Sequence, residues 1–372
     1  MNWTFWLNIV SLHLSELVRA LASMPDQTVT VVAEHELAER RKAIGWNTPD
    51  CSPAHVLIGP SDVEIEEVIA RHHGQKSVHI IGGGFKSGSL NRRVLFRFAN
   101  SGALIGLMSE SADSRGILGS ARRAKYFLER YSVGDKLDFI VAMGQAGVQW
   151  YKSVGYNSFR IFPFIYVTER PNLELESSSE RNDTRVFRIL YLGHFIRRKD
   201  GVTAIRALAK LLDCNWQFDA AGDGPDLEHW KRVAAECGVA DRIRFLPSVN
   251  NKMIGNLLEH ADLLLLPSRF DGWGAVVNEA LMCGVPVVCS DNCGASDLLR
   301  EPWRGSIFTM GSGEDLQNVL RGWIKRGKRT KESSERIREW SRSLEGPQVA
   351  GYLVEIIKYL QEGGQRPCPP WY

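Results

Sequence analysis

The chain lacks the marks of several common activities. Seven cysteines among 372 residues stand at 51, 214, 237, 283, 289, 293 and 368 without a CxxC pair, which argues against a disulfide framework or a zinc site and for a reducing compartment. Cys283, Cys289 and Cys293 are near neighbours, but small buried residues flanking a strand explain them better than a metal does. No metal is expected. GxxxxGK[ST] is absent, so there is no P-loop, and the glycine-rich stretch AAGDGPDL is not the GxGxxG dinucleotide fingerprint. Apolar runs are too short to cross a bilayer, and the opening MNWTFWLNIVSLHLSEL has neither a basic leader nor an unbroken apolar core. These absences set the expectation of a cytoplasmic protein. A net charge of only +3 gives no reason to expect a dedicated nucleic-acid binder.

What is present is alternation. With 44% hydrophobic and 24% charged residues, the chain has an ordinary globular composition and is long enough for two cores. Short apolar runs alternate with amphipathic stretches, the pattern of parallel sheets wrapped by helices. The first half offers strands near 4–9, 28–34, 54–59, 78–82, 103–109, 138–143 and 161–167. Between them lie helices such as SDVEIEEVIARHH, where Ser61 and Glu64 have the spacing of a capping box. From Pro171 to Arg185, PNLELESSSERNDTR is polar, serine-rich and aperiodic, as linkers are. Alternation then resumes through FRILYLG, NWQFDAAG, RIRFLPS and DLLLLPS, and GPQVAGYLVEIIKYLQEGG reads as a last helix before an irregular tail. The expected architecture is α/β: a Rossmann-like, doubly wound domain over 1–170, a linker over 171–186, a second such domain over 187–345, and a C-terminal helix and tail over 346–372. Two such sheets are expected to face a cleft at the carboxyl ends of their strands, where ligands bind in doubly wound folds.

Three strand exits of the second half carry chemistry. After DLLLLPS comes RFDGWGAVVNEALMCG, in which Gly272 and Gly274 allow close backbone approach and the amides of Ala275, Val276 and Val277 open a helix suited to a diphosphate. Glu279 shares a helical face with Ala275, where its carboxylate can accept from ribose hydroxyls, and Asp271 is in reach of a sugar. Those carboxylates serve equally well as a dipole complement and a turn cap. GHFIRRKDG places Gly193 at a strand end, followed by His194, Arg197, Arg198 and Lys199, cations suited to the phosphates of a leaving nucleotide or to a solvated loop. AAGDGPDL sets Gly222 and Gly224 before a helix.

Taken in order, GHFIRRKDG, AAGDGP, RIRFLPSV, ADLLLLPS and DGWGAVVNEALMCGVPVVCSDNCGASDLL resemble the nucleotide-binding half of GT-B fold glycosyltransferases of family 4, a large retaining family. More loosely, FWLNIVSLHLSELVRAL, HIIGGGF and DFIVAMGQAGVQWYKSVG are similar to enzymes that build bacterial surface polysaccharides. The resemblance implies GT-B architecture and transfer of a sugar from a nucleotide-diphosphate sugar to a glycan or lipid-linked acceptor, with no cofactor beyond that donor. The family's Glu-x7-Glu element falls on Asp271 and Glu279, the first side chain a methylene shorter. Their implied roles are work near the transferred sugar for Asp271 and a hold on the ribose for Glu279. His194 stands where the family has arginine after the strand-end glycine, Lys199 matches its phosphate lysine, and Arg197 or Arg198 is placed to replace the missing arginine. Glu110, in MSESAD, takes the position at which the family often presents a histidine near the anomeric carbon. No DxD occurs, so the metal clamp of the other glycosyltransferase fold is missing and its work falls to amides and cations.

In the first half, Ser11 and His13 follow the first strand and Gly83, Gly84 and Lys86 follow HII, positions expected to line the cleft on the acceptor side. His13 fits a catalytic and a structural role equally. Between Arg71 and Arg130 there are eleven Lys or Arg against three Asp or Glu. Within that stretch SRGILGSARRAKYFLERY is basic and amphipathic, suited to peripheral contact with an anionic membrane or to a plain solvated face. Two other readings stay open: an epimerase of the same fold that needs no acceptor, and a degenerate nucleotide-binding partner subunit marked by Asp271, His194 and Glu110.

Overall fold

A computed structural model describes residues 1–39, 47–86, 88–172, 186–249 and 253–372. The expected linker lies almost wholly outside them. The chain divides into two units, one taking the described residues up to Glu169 together with Ser343–Tyr372, the other running from Arg170 to Arg342.

Each unit is one parallel sheet wrapped by helices. The first sheet holds β1 (Asn2–Leu7), β2 (Thr28–Ala33), β3 (His55–Ile58), β4 (Ser77–Gly82), β5 (Leu104–Ser109), β6 (Phe139–Met143) and β7 (Ile161–Phe164), in the order 3-2-1-4-5-6-7. These are the seven runs that periodicity marks in the sequence, each shifted by a few residues at most. Helices α1 (Ser15–Ala22), α2 (Asp62–Arg71), α3 (Leu90–Phe98), α4 (Gly116–Val133) and α5 (Gly144–Ser153) connect them. At α2 the capping box forms in full: Glu64 N donates to Ser61 Oγ at 3.3 Å, and Ser61 N donates back to Glu64 Oε2 at 2.8 Å. Such a cap contributes about 1 kcal/mol. Strand order reverses between β1 and β4, so connections leave their carboxyl ends in opposite directions and open a crevice there.

The second sheet orders β8 (Phe187–Leu192), β9 (Trp216–Ala221), β10 (Ile243–Leu246), β11 (Leu263–Leu266), β12 (Val287–Ser290) and β13 (Gly305–Phe308) as 10-9-8-11-12-13, again all parallel. Its switch point falls between β8 and β11. Around it lie α6 (Gly201–Ala209), α7 (Leu227–Glu236), α8 (Ile254–His260), α9 (Val276–Met282), α10 (Gly313–Arg326) and α11 (Lys331–Ser341). Leu263, Leu264, Leu265 and Leu266 are all fully buried, because helices cover both faces of a central parallel strand. An aromatic cluster fixes the exit of β8: the Trp230 ring packs edge-on against Phe195 at 4.8 Å and Tyr191 at 5.2 Å. Gly201 makes room for it, since a Cβ there would lie 2.1 Å from the indole. Phe195 is thereby the buried anchor of the loop that carries His194, Arg198 and Lys199.

The last helix, α12 (Gly346–Glu362), returns to the first unit and lies on α1. Contact is close enough that a Cβ on Gly346 would sit 2.7 Å from Glu16 O. The tail that reads as irregular has no regular elements but is anchored. Arg366 stacks on Phe162 at 4.3 Å and donates to Ile161 O at 2.6 Å, while buried Trp371 meets Phe164 and Tyr352 edge-on. No helix among the described residues is long and apolar enough to cross a membrane.

Candidate functional site

In the second unit the three glycine-bearing exits form one surface. Gly193 N donates to Ala221 O at 3.0 Å, and a Cβ on Gly222 would meet Gly193 O at 1.9 Å. One residue pair further on, a Cβ on Gly224 would lie 2.3 Å from Phe195 O, while Phe195 N donates to Asp223 O at 2.6 Å. The glycines of AAGDGP are thus demanded by the neighbouring GHF loop, a contact between segments that no local pattern reveals. Across this seam His194 Nδ1 lies 2.7 Å from Asp223 Oδ1, both side chains more than half exposed.

The basic turn Arg197–Lys199 meets the loop after β11. Lys199 Nζ donates to the Asp271 carboxylate, and Arg198 Nη1 approaches the same carboxylate at 3.7 Å while donating to Phe270 O at 2.9 Å. Behind them Asp200, buried and left-handed at φ 51, holds Arg269 at 3.1 Å and accepts from Thr203 Oγ1 at 2.9 Å. Arg269 N closes the zipper on Arg198 O at 2.8 Å. The sequence assigns Lys199 to phosphate and Asp271 to sugar as separate tasks; the structure makes them one half-buried ion pair. Asp271 is held in place by its own backbone, which donates to Asn292 O and accepts from Gly294 N, both at 3.0 Å.

Past Asp271 the chain turns at Gly274 (φ 96), where a Cβ would press on Cys293 Sγ at 2.9 Å, and enters α9. The expected trio of free amides is reduced. Val277 N donates to Gly274 O at 2.9 Å and is buried, so it cannot serve an anion, because the turn closes one residue earlier than the sequence suggests. Ala275 N and Val276 N have no such partner among the described residues. The Glu279 carboxylate reaches no hydrogen-bond or ion-pair partner among the described residues, yet the side chain is sunk in protein with only part of the residue's surface accessible. Burial pushes its carboxyl up to about 7. At the other end of α9, Arg170 donates to Met282 O and Arg338 Nε donates to Cys283 O at 3.1 Å, cations on the helix's orphan carbonyls. Cys283, Cys289 and Cys293 are buried thiols, as expected of strand-flanking residues. Asp223, Asp200, Arg269 and Arg170 are given no role by the sequence reading, although the first three stand inside AAGDGPDL, GHFIRRKDG and RFDGWG; each acts on a partner far along the chain.

In the first unit the exits of β1, β4 and β5, adjacent in the sheet, carry Ser11 and His13, Gly83 and Gly84, and Glu110 respectively. Ser11 O accepts from Leu14 N and Ser15 N, starting α1. His13 is half-buried, its ring stacked on Tyr166 at 5.5 Å. Gly83 takes φ 103, and Asn91 Nδ2 donates to Gly82 O and Gly84 O at 3.1 and 3.2 Å, which shapes the turn. Lys86 is exposed and Glu110 half-buried. Among the described residues no group of three or more His, Cys, Asp or Glu is placed to hold a metal ion.

Residues 174–340 match the family model of glycosyl transferases group 1. A 2-deoxystreptamine N-acetyl-D-glucosaminyltransferase of Niallia circulans is 30% identical over 112 residues, 30% of this chain and 29% of that protein. The lipopolysaccharide 1,6-galactosyltransferase of Salmonella typhimurium is 28% identical over 155 residues, 39% of this chain and 42% of that one. The chain therefore spans less than half the length of these relatives. Among solved structures, HepE of Anabaena in complex with UDP superposes with a TM-score of 0.69 at 15% identity, over 96% of this chain and all of that one. The fold is that of GT-B glycosyltransferases.

Proposed function

We propose, for a chain whose residues 174–340 match the model of glycosyl transferases group 1, that it transfers a sugar from a nucleotide-diphosphate sugar, with retention, to a glycan or lipid-linked acceptor in surface polysaccharide synthesis. The observation that carries the reading is Glu279, a recessed carboxylate without a hydrogen-bond or ion-pair partner among the described residues, on the helix that follows the Lys199–Asp271 pair at one sheet's switch point. Ribose hydroxyls would supply the donors that Glu279 lacks, and the amides of Ala275 and Val276 with the nearby cations would face the diphosphate. Glu110, in the position the resemblance sets near the anomeric carbon, and His13 would be the catalytic groups of the first unit, with Ser11, Gly83, Gly84 and Lys86 on its acceptor side. A thermal-shift panel of nucleotide sugars, run with EDTA present, tests this. One donor at a hundred times its dissociation constant should add about 2.7 kcal/mol of stability, and turnover should persist without added metal. A panel in which no nucleotide sugar raises the midpoint defeats the reading.

Membrane contact belongs to the same proposal. On α4 the side chains of Ile117, Leu118, Leu128 and Tyr131 are each at least 66% exposed, an apolar stripe turned away from the core, and Arg122, Arg123 and Lys125 stand beside it, also exposed. Apolar stripe and basic flank together fit the interface of an anionic leaflet, where a lipid-linked acceptor would lie. The chain should co-sediment with vesicles containing anionic lipid and not with neutral ones. Leu128→Asp with Lys125→Glu should abolish that preference while leaving the melting temperature unchanged; equal binding to both vesicle types would reduce α4 to a solvated helix.

A further inference from the structure

Resting on that donor reading, we infer that Asp223 is a positioning residue that fixes His194 as the donor's diphosphate ligand. Arginine, with five donors in a rigid fork, needs no help to present an N–H to phosphate; histidine does. Its two ring nitrogens must be assigned, and a carboxylate, which only accepts, forces the proton onto the nitrogen it faces. Asp223 Oδ1 lies 2.7 Å from His194 Nδ1, so Nδ1 carries the proton and Nε2 is left for a ligand. With Nδ1–H on Asp223, an N–H at Nε2 belongs to the imidazolium form alone, and it is that form which would donate to a diphosphate oxygen.

The frame around the pair is rigid although both side chains are more than half exposed. Buried Tyr191 donates its hydroxyl to His194 O at 2.8 Å, and Phe195 next door is fully buried against Trp230. On the opposite loop Asp223 O accepts from Phe195 N at 2.6 Å, and Gly224 is packed against Phe195 O. Backbone contacts and the packing of Phe195 on Trp230 thus hold the two loops together independently of the side-chain pair. Nearby cations are already engaged: Lys199 and Arg198 both face Asp271. Of the side chains between Gly193 and Lys199, His194 is held by the loop after β9, Arg198 and Lys199 by the loop after β11, and Arg197 is exposed on the turn.

Calorimetric titration with UDP, GDP, their nucleosides and inorganic pyrophosphate tests the inference. Asp223→Ala should weaken the preferred nucleoside diphosphate and pyrophosphate about tenfold and leave the matching nucleoside unchanged. His194→Arg should bind the diphosphate as tightly as the native chain, and in that background Asp223→Ala should no longer weaken it. Asp223→Ala binding like wild type overturns the inference, as does an equal loss for the nucleoside or an undiminished loss in the His194→Arg background. A wild-type chain that binds none of these probes removes the donor reading and this inference with it. Both positions are exposed, and unchanged melting temperatures confirm that folding is not what is measured.

Discussion

Glu279→Ala should bind nucleoside diphosphate ten- to a hundredfold more weakly than the native chain, and Glu279→Gln nearly as badly while gaining stability. Charge-assisted hydrogen bonds from two ribose hydroxyls are worth roughly 1.5 to 3 kcal/mol, which is the expected loss. The stability gain comes from burial. In the folded chain the carboxyl is raised from its ordinary 4.5 to about 7, so the folded state is at full strength below 4.5 and loses stability as pH rises through 7, by at most about 3 kcal/mol. Glutamine has no charge to desolvate, so the variant should melt higher than wild type at pH 8 and like it at pH 4. Nucleotide binding should move the native chain the other way. Hydroxyl donors favour the carboxylate, so binding near pH 6.5 should expel a proton, and affinity should rise from pH 6 to 8 and then level off. Titrations in two buffers of different ionisation enthalpy measure the proton. Uptake in place of release, or a Glu279→Gln variant that binds as well as wild type, would return Glu279 to the role of a dipole complement.

What the sequence shows of this site is its punctuation. Short apolar runs mark the strands, since a parallel strand covered on both faces must be apolar, and the glycines of GHF, AAGDGP and DGWGA mark the exits. Side-chain pairing is another matter. Lys199 and Asp271 are 72 positions apart, and Arg198 and Phe270 as far; only the adjacency of β8 and β11 in the sheet brings the loops together. No spacing rule encodes that neighbourhood, because it follows from strand order. The pairing of His194 with Asp223 likewise follows from β8 lying beside β9. The free amide expected at Val277 is missing for a local reason: the turn at Gly274 uses it. At the C-terminus, α12 is legible as an amphipathic helix, but its place on α1 rests on Gly346 admitting Glu16 O, one glycine among 34.

The pairing of Lys199 with Asp271 changes what removing the carboxylate should do. Were Asp271 a free group facing a sugar, Asp271→Asn would lower the rate and leave nucleotide affinity alone. In this structure it neutralises Lys199 and faces Arg198, in a place where both members of the Lys199 pair are largely shielded from water. Asparagine would leave those cations without their anion, so the unliganded variant should melt lower than wild type, since removing one partner of a shielded pair strands the other. A nucleoside diphosphate brings the missing negative charge. Its affinity should therefore hold or rise by up to about tenfold, and saturating nucleotide should restore the melting temperature. The rate should fall regardless. Glycosyl transfer passes through an oxocarbenium-like state, and losing a fixed carboxylate near that developing positive charge should cost roughly a hundredfold or more in turnover at saturating substrate. Binding and rate would thus move in opposite directions, a combination that neither a turn cap nor a damaged fold produces. Calorimetry with the nucleotide, thermal melts with and without it, and saturating kinetics on the same preparation read all three. If Asp271→Asn loses nucleotide binding along with turnover, Asp271 serves to hold the Lys199 loop in place, and the carboxylate's part in transfer is withdrawn.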